Sequence, residues 1–314
     1  MRYGLVLVGK RRKPTPGKIL LMTDNHRPDP GLGARLAMLA IRILLHNPLG
    51  ASLAGASRIF YPRNGGNWVD VTQIRLALPR LLPEFNGYRI AQISDFHIGT
   101  WLTSKKLEYA VGLVNQQRAN LVAITGDFVT LHPASYSNDL ISSLSKLHAP
   151  DGVVAVLGNH DHWSDPEEIR RVLDKAKIRE LKNDVFSVIK GDKKLHICGI
   201  DDFMDGHARL DQVLQKLPKD GAAILLAHEP DFADISALSK RFDLQISGHS
   251  HGGQVVLPWI GAPFLPGYAR KYTSGLHQVD GMLQYTNRGL GTSEIQIRFN
   301  CRPEITLFTL ESVK

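Results

Sequence analysis

Five short segments hold the residue types that metal chemistry uses: Asp95-Phe96-His97, Gly126-Asp127, Gly158-Asn159-His160-Asp161, His228-Glu229 and Gly248-His249-Ser250-His251. Each follows an apolar run. Asp-x-His and His-x-His put two donors at i and i+2, which on an extended chain point to the same side. The adjoining glycines let the backbone turn tightly beside an ion. A set of carboxylate, amide and imidazole donors without thiolate selects Mn(II), Fe or Zn over softer ions. Taken singly, each segment has an ordinary explanation. Gly-Asp is a common turn, His228 before Glu229-Pro230 could be a hydrogen-bonded core histidine, and Asn159 could cap a helix. Taken together and in this order, they predict a metal site on Asp95, His97, Asp127, Asn159, His228, His249 and His251.

The elements that must position these side chains are legible in the same stretch. Short apolar or β-branched runs at 88–94, 120–125, 152–157, 222–227 and 243–247 alternate with amphipathic stretches near 105–118, 138–147, 166–179, 209–217 and 231–240. This is an α/β pattern in layers. Metal-binding types end all five runs, and ligands collect at the carboxyl ends of strands because side chains from several strands converge there. A strand-rich tail follows at 281–287, 295–299 and 305–310. Cys198 lies in the apolar run 195–200 and reads as a buried strand residue. With Cys301 it could form at most one bridge, so neither a disulfide scaffold nor redox chemistry is expected.

The 314 residues carry a formal charge of +8, yet this charge is not spread over the chain. Residues 1–70 hold eleven Lys/Arg against three acids, and the remaining 244 hold 27 of each sign. A neutral main domain without a basic, aromatic-rich patch argues against nucleic acid as a partner. Residues 1–67 read as a basic leader plus an amphipathic helix at 34–47, and 68–314 as the catalytic domain. The leader lacks periodicity, and the true start could lie downstream of Met1. In the helix, Arg35, Arg42 and His46 share one stripe of an otherwise apolar surface. Arg42, His46 and Pro48 interrupt any window of the roughly 20 apolar residues that a spanning helix needs. An interfacial anchor on an anionic membrane, on its cytoplasmic face, is the preferred reading, with packing on the main domain or a dimer partner as the alternative. Arg11-Arg12 precedes Lys13-Pro14-Thr15-Pro16 where an export signal would need an apolar run.

The succession Asp-x-His, Gly-Asp, Gly-Asn-His-Asp, a lone His and Gly-His-x-His resembles the calcineurin-like metallophosphoesterase superfamily, from about Asp70 to the C-terminus. Residues 87–99, 248–254 and 285–292 are further similar to a bacterial branch of membrane-linked phosphodiesterases, which includes hydrolases of the UDP-diacylglucosamine pyrophosphate. The resemblance implies a two-sheet β-sandwich flanked by helices. It also implies two divalent ions, Mn(II) first with Fe or Zn as alternatives. One would be held by Asp95, His97, Asp127 and His251, the other by Asp127, Asn159, His228 and His249. Two dications about 3.5–4 Å apart clamp a phosphoryl group and supply a bridging hydroxide as nucleophile. His160 would face the leaving group, with Asp161 as its orienting partner. Arg288 could reach a phosphate, although a strand arginine in solvent is the plainer reading. Asp201-Asp202 could meet substrate or an outer histidine.

The apolar segment 255–266 directly follows the histidines, and its prolines and Gly261 make it a loop at the rim of the site. It could admit acyl chains or dip into lipid, or it could fold back over the sandwich. Together with the basic N-terminal segment, it favours a phosphodiester or pyrophosphate on a membrane lipid precursor such as UDP-2,3-diacylglucosamine. The alternatives are a soluble phosphodiesterase or phosphomonoesterase acting on nucleotides and, least favoured, an inactive metal-binding scaffold.

Overall fold

The computed structural model describes residues 68–99, 101–293 and 296–313. The leader and the helix expected at 34–47 lie outside the described residues. Twelve strands form two six-stranded sheets. The first runs β1 (Asp70–Leu78), β12 (Glu304–Ser312), β2 (Arg89–Ile93), β3 (Leu121–Thr125), β4 (Val153–Val156), β5 (Arg179–Glu180). The second runs β10 (Gly275–Val279), β11 (Met282–Thr286), β9 (Leu244–Ser247), β8 (Ala223–Leu226), β7 (Lys193–Gly199), β6 (Asp184–Lys190). The α/β sandwich expected from the sequence is therefore present, with the five site-bearing runs divided between the sheets.

Alternation along each strand builds the layers. Ile90, Leu121, Ala123, Val154 and Val156 face inward and meet Ile224, Leu226, Leu244 and Ile246 of the second sheet. Their neighbours Ala91, Val122, Ile124 and Ala155 face outward, under the apolar stripes of helices Ser104–Gln116, Ser137–Leu144 and Pro166–Lys175. Strands buried on both faces read as unbroken apolar runs, which is why these five stand out in the sequence. At the carboxyl end the interior becomes polar. Gln92 Nε2 donates to Thr125 Oγ1 and to Ser247 O, both at 2.9 Å, and Thr125 Oγ1 donates to Ser94 Oγ at 2.7 Å. These bonds tie the sheets together directly beneath the site.

Two expected elements differ. The stretch 231–240 is broken into a 3-10 turn, a single α turn at Ala233–Ser236 and another 3-10 turn. Ser236 Oγ donates to Gln245 and Ser239 Oγ to Ser236 O, and such side-chain bonds compete with a regular helix. Residues 296–298 form no strand, and Phe299 makes only an isolated bridge to Val255. Arg298 instead turns inward, toward the His251 loop.

Phe308 is fully buried between the sheets, edge-on to Tyr285 with ring centroids 5.1 Å apart. Phe308→Ala is expected to cost about 3–5 kcal/mol, read as a lower urea midpoint; a loss under 1 kcal/mol would contradict this packing.

Candidate metal centre

Each of the five loops leaves its strand and curls at once. Asp95, His97, Asp127, His249 and His251 all have positive φ, between 43° and 67°. The extended i, i+2 geometry expected from the sequence does not hold. On a strand the backbone positions of residues i and i+2 stand roughly 6.6 Å apart. The left-handed turns close that gap, although an L-residue with a side chain adopts them at some cost. Backbone bonds between loops hold the turns. Asp95 N donates to Gly126 O at 2.9 Å, His97 N to Asp127 O at 3.1 Å and Gly248 N to His228 O at 3.0 Å. The loops approach so closely that two positions require glycine. A Cβ on Gly248 would lie 2.3 Å from Asp95 Oδ2, and one on Gly158 would lie 2.3 Å from Asp127 Oδ1.

The donors converge in two groups, Asp95, His97, Asp127 and His251 in one and Asp127, His228 and His249 in the other. Within each group the donor atoms lie within 4.8 Å of one another, and every residue is buried. Asp127 belongs to both. Asn159 is also buried, and its Oδ1 has no hydrogen-bond partner; neither does Asp95 Oδ2.

Imidazole chemistry explains what such a centre needs. His228 Nδ1 is 2.6 Å from Thr125 O and His249 Nε2 is 2.8 Å from Gly267 O, so each must donate there. The remaining nitrogens, His228 Nε2 and His249 Nδ1, then carry lone pairs, and they face each other at 3.2 Å with Asp127 Oδ2 also 3.2 Å from His228 Nε2. In the other group His97 Nε2 lies 3.1 Å from His251 Nε2 and 3.3 Å from Asp127 Oδ2. His228 Nε2, His249 Nδ1 and Asp127 Oδ2, crowded in this way, are complementary to a cation, and the buried Asn159 Oδ1 is an oxygen donor with no other partner. The donor set thus fits two divalent ions, one for each group, with Asp127 common to both.

Protonation without metal follows the same logic. Burial opposes charge on His228, yet Asp127 facing it holds its pKa well above the usual value. Burial likewise acts to raise Asp127, but His228 keeps it well below the carboxylate range. Desolvation pushes Asp95 up to about 7 and lowers His97 and His249 to about 4.

His160 stands at the edge of the first group. Its N–H donates to Asp127 Oδ1 at 3.0 Å, and its ring lies between His97 and Trp163, with centroids 4.7 and 4.8 Å away. Asp161 does not orient it. Its carboxylate accepts from the backbone of Asp127 at 2.9 Å, Phe128 at 2.8 Å and Gly158 at 3.0 Å, so it shapes the loop that presents Asp127. Full burial leaves that carboxylate no other use. His160 Nδ1 lies instead 3.5 Å from Thr130 O. Arg288 is tied to Glu304 at 3.1 Å and to Asp70 at 3.3 Å, an ion-pair network that braces β1 and β12 rather than a group aimed at phosphate. Asp201 Oδ1 pairs with His162 at 2.7 Å, an outer histidine on the helix Asn159–Ser164. Asp202 is pushed up to about 11 by burial and by neighbouring Glu229.

Arg298 is not legible in the sequence, because an arginine in a strand-like stretch has no telling spacing. Its buried guanidinium donates to the carbonyls of Arg288 at 2.7 Å, Gly289 at 3.1 Å and Gly291 at 2.6 Å, and Nη2 lies 3.3 Å from His251 Nδ1. It thereby fastens the His251 loop to the turn that packs on Asp95.

Metal binding must displace the proton held on Asp95 near neutral pH and the one between His228 and Asp127. Since both are bound below pH 7, affinity is expected to fall as pH drops, by about tenfold per unit for each proton displaced. Calorimetric titration of metal-free protein with Mn(II) in buffers of different ionisation enthalpy should show at least one proton released at pH 7. Zero release would mean that neither Asp95 nor the His228–Asp127 pair holds a proton at that pH.

Comparison with known proteins agrees with this geometry. Residues 88–253 match the family model of the calcineurin-like phosphoesterase. The uncharacterized metallophosphoesterase YkuE of Bacillus subtilis is 35% identical over 74% of this chain and 82% of its own. The phosphodiesterase YaeI of Escherichia coli is 29% identical over 83% of this chain and 94% of its own. A bovine transmembrane protein with a metallophosphoesterase domain is 28% identical over 77% of this chain and 57% of its own. All five loop motifs fall inside the matched segment, and the chain belongs to the calcineurin-like phosphoesterase family, in the bacterial branch of YkuE and YaeI, as a metal-dependent phosphoester hydrolase.

Proposed function

We propose that the protein hydrolyses a phosphodiester or pyrophosphate carried by a membrane lipid precursor such as UDP-2,3-diacylglucosamine. In this reading Asp95, His97, Asp127 and His251 hold one divalent ion and Asp127, Asn159, His228 and His249 hold the other, Mn(II) foremost and Fe or Zn as alternatives. The observation that carries the metal assignment is the facing pair of imidazole nitrogens of His228 and His249, 3.2 Å apart, with Asp127 common to both groups of donors. When bound, such ions polarise a phosphoryl group and lower the pKa of water. Two carboxylates do not cancel two dications, and the neutral Asn159 preserves the excess that attracts an anionic substrate.

In this reading His160 donates a proton to the leaving oxygen; its ring lies edge-on to His97 and tilted against Trp163, with Nδ1 3.5 Å from Thr130 O rather than beside a carboxylate. Asp161 acts through Asp127, by holding the backbone of the loop that presents it. The lipid reading is supported by apolar side chains exposed around the centre. Leu131 follows Thr130, whose Oγ1 holds His97, and Tyr268 follows Gly267, whose carbonyl holds His249. The domain name of the bovine relative agrees with a membrane setting. Among the described residues no helix is long and apolar enough to cross a membrane. In this reading attachment is peripheral, through residues 1–67 and at the cytoplasmic face, because Arg42, His46 and Pro48 interrupt the apolar run that a spanning helix needs. A soluble nucleotide phosphodiesterase is the second reading, favoured by the half-exposed rings of Trp163 and Tyr268, which could stack on a base.

Purified protein with Mn(II) should release UMP from UDP-2,3-diacylglucosamine and cleave bis-p-nitrophenyl phosphate, with little action on the monoester. Cleavage of the synthetic diester without lipid turnover would move the substrate to the second reading. His160→Ala is expected to keep both metals by elemental analysis and lose about 10²–10⁴ in kcat; loss of metal with it would instead make His160 structural.

A further inference from the structure

One turn beside the metal loop presents bare apolar side chains to solvent. Leu257 N donates to Gly261 O at 2.8 Å and Gly261 N to Leu257 O at 2.9 Å, which closes a short hairpin with Trp259 and Ile260 at its tip. Trp259 is fully exposed and Ile260 is 73% exposed. The base of this turn is fastened to the metal loop. Val256 N donates to Phe299 O at 2.9 Å, Phe299 N to Gln254 O at 3.0 Å, and Gly253 lies so near Ala262 that a Cβ there would stand 2.2 Å from the alanine methyl. A tip displayed on a tied base is a built projection, and nothing among the described residues covers it.

Strand polarity adds an independent observation. β1 runs parallel to β12, and β12 antiparallel to β2. The first residue of β1, Asp70, therefore lies at the end where β2 delivers Asp95. Side chains agree: Asp70 bonds Arg288 at 3.3 Å, and the next residue, Gly289, packs on Asp95. Trp68 packs edge-on against Trp101, four residues beyond His97, with centroids 5.3 Å apart. Residues 1–67 thus join the domain at its metal end, and the first 70 residues carry eleven Lys/Arg against three acids. The apolar tip and the basic segment are attached to the same end of the sandwich.

We propose that the Trp259–Ile260 turn is a docking element that seats in the headgroup region of an anionic bilayer and turns the metal centre toward the lipid. The inference rests on the membrane-lipid reading of the site and names the surface by which it meets its substrate. Tryptophan has an apolar ring and one polar N–H, and it is favoured at the membrane interface. A single weak apolar insertion holds a protein only marginally, and a basic segment attracted to anionic lipid supplies the second contact. The two act together when they leave the domain from the same end, and strand polarity puts the junction at Trp68–Asp70 at the metal end.

The test uses the full chain with vesicles of phosphatidylcholine and phosphatidylglycerol whose acyl chains are brominated. Tryptophan emission should be quenched on binding, and Trp259→Phe should remove most of that quenching while the protein still sediments with the vesicles. Trp259→Ser should weaken partitioning by about tenfold, with hydrolysis of bis-p-nitrophenyl phosphate unchanged in both variants. Equal quenching in wild type and Trp259→Phe would overturn the proposal, as would a vesicle-independent dimer that Trp259→Ser dissolves. The readout does not involve lipid turnover: the lipid-substrate reading can fail while quenching persists, and quenching can fail while detergent-dispersed lipid is still cleaved.

Discussion

The carboxylate of Asp127 stands between two groups of imidazoles in a wholly buried position, 3.3 Å from His97 Nε2 and 3.2 Å from His228 Nε2. A buried charge in that place is tolerable only with compensating partners on every side. Asp161 fixes the backbone that carries it, and His160 N–H donates to its other oxygen. Much of the surrounding structure serves this placement. Gly158 gives the side chain room, and Gly126 O anchors Asp95 from the next strand. The sandwich supplies rigid strand ends from which five loops can be aimed at one point.

Holding those loops in left-handed turns costs energy, of order 1–3 kcal/mol for each such residue. Contacts further out stabilise what the site strains. Gln92, Thr125 and Ser247 lock the sheets together below it, and the Arg298 guanidinium gathers the carbonyls of three residues in one turn beside it. Burial disfavours charge at the centre, pushing Asp95 up to about 7 and driving His97 and His249 down to about 4. The same residues that crowd the metal-free site become complementary once positive charge stands among them.

The mouth of the centre has a different character from its floor. Below lie hydrogen-bonded polar groups and close-packed glycines; around the rim lie Leu131, Trp163, Tyr268 and the Trp259 turn, all exposed. In the proposed reading these exposed side chains are what the mouth presents to its substrate or to lipid.

The local sequence determined the chemistry. Donor types at the ends of apolar runs are readable because a strand buried on both faces must be continuously apolar and a ligand must interrupt it. For the same reason β2, β3, β4, β8 and β9 and the helix at 166–175 were legible, and so was Cys198 inside β7. The edges were not: β1 pairs with β12 across more than two hundred residues, and β6 and β10 lie at sheet edges where burial imposes no clear pattern. Asp161 follows His160 in sequence and invites pairing with it, yet its carboxylate closes on the Asp127 loop, because local order does not say which backbone amides will be left unpaired nearby. Arg298 and the tip at Trp259 carry no spacing signal at all. Their roles depend on what surrounds them, carbonyls on every side in one case and open solvent in the other, and only the packing of loops brought together by two sheets decides that.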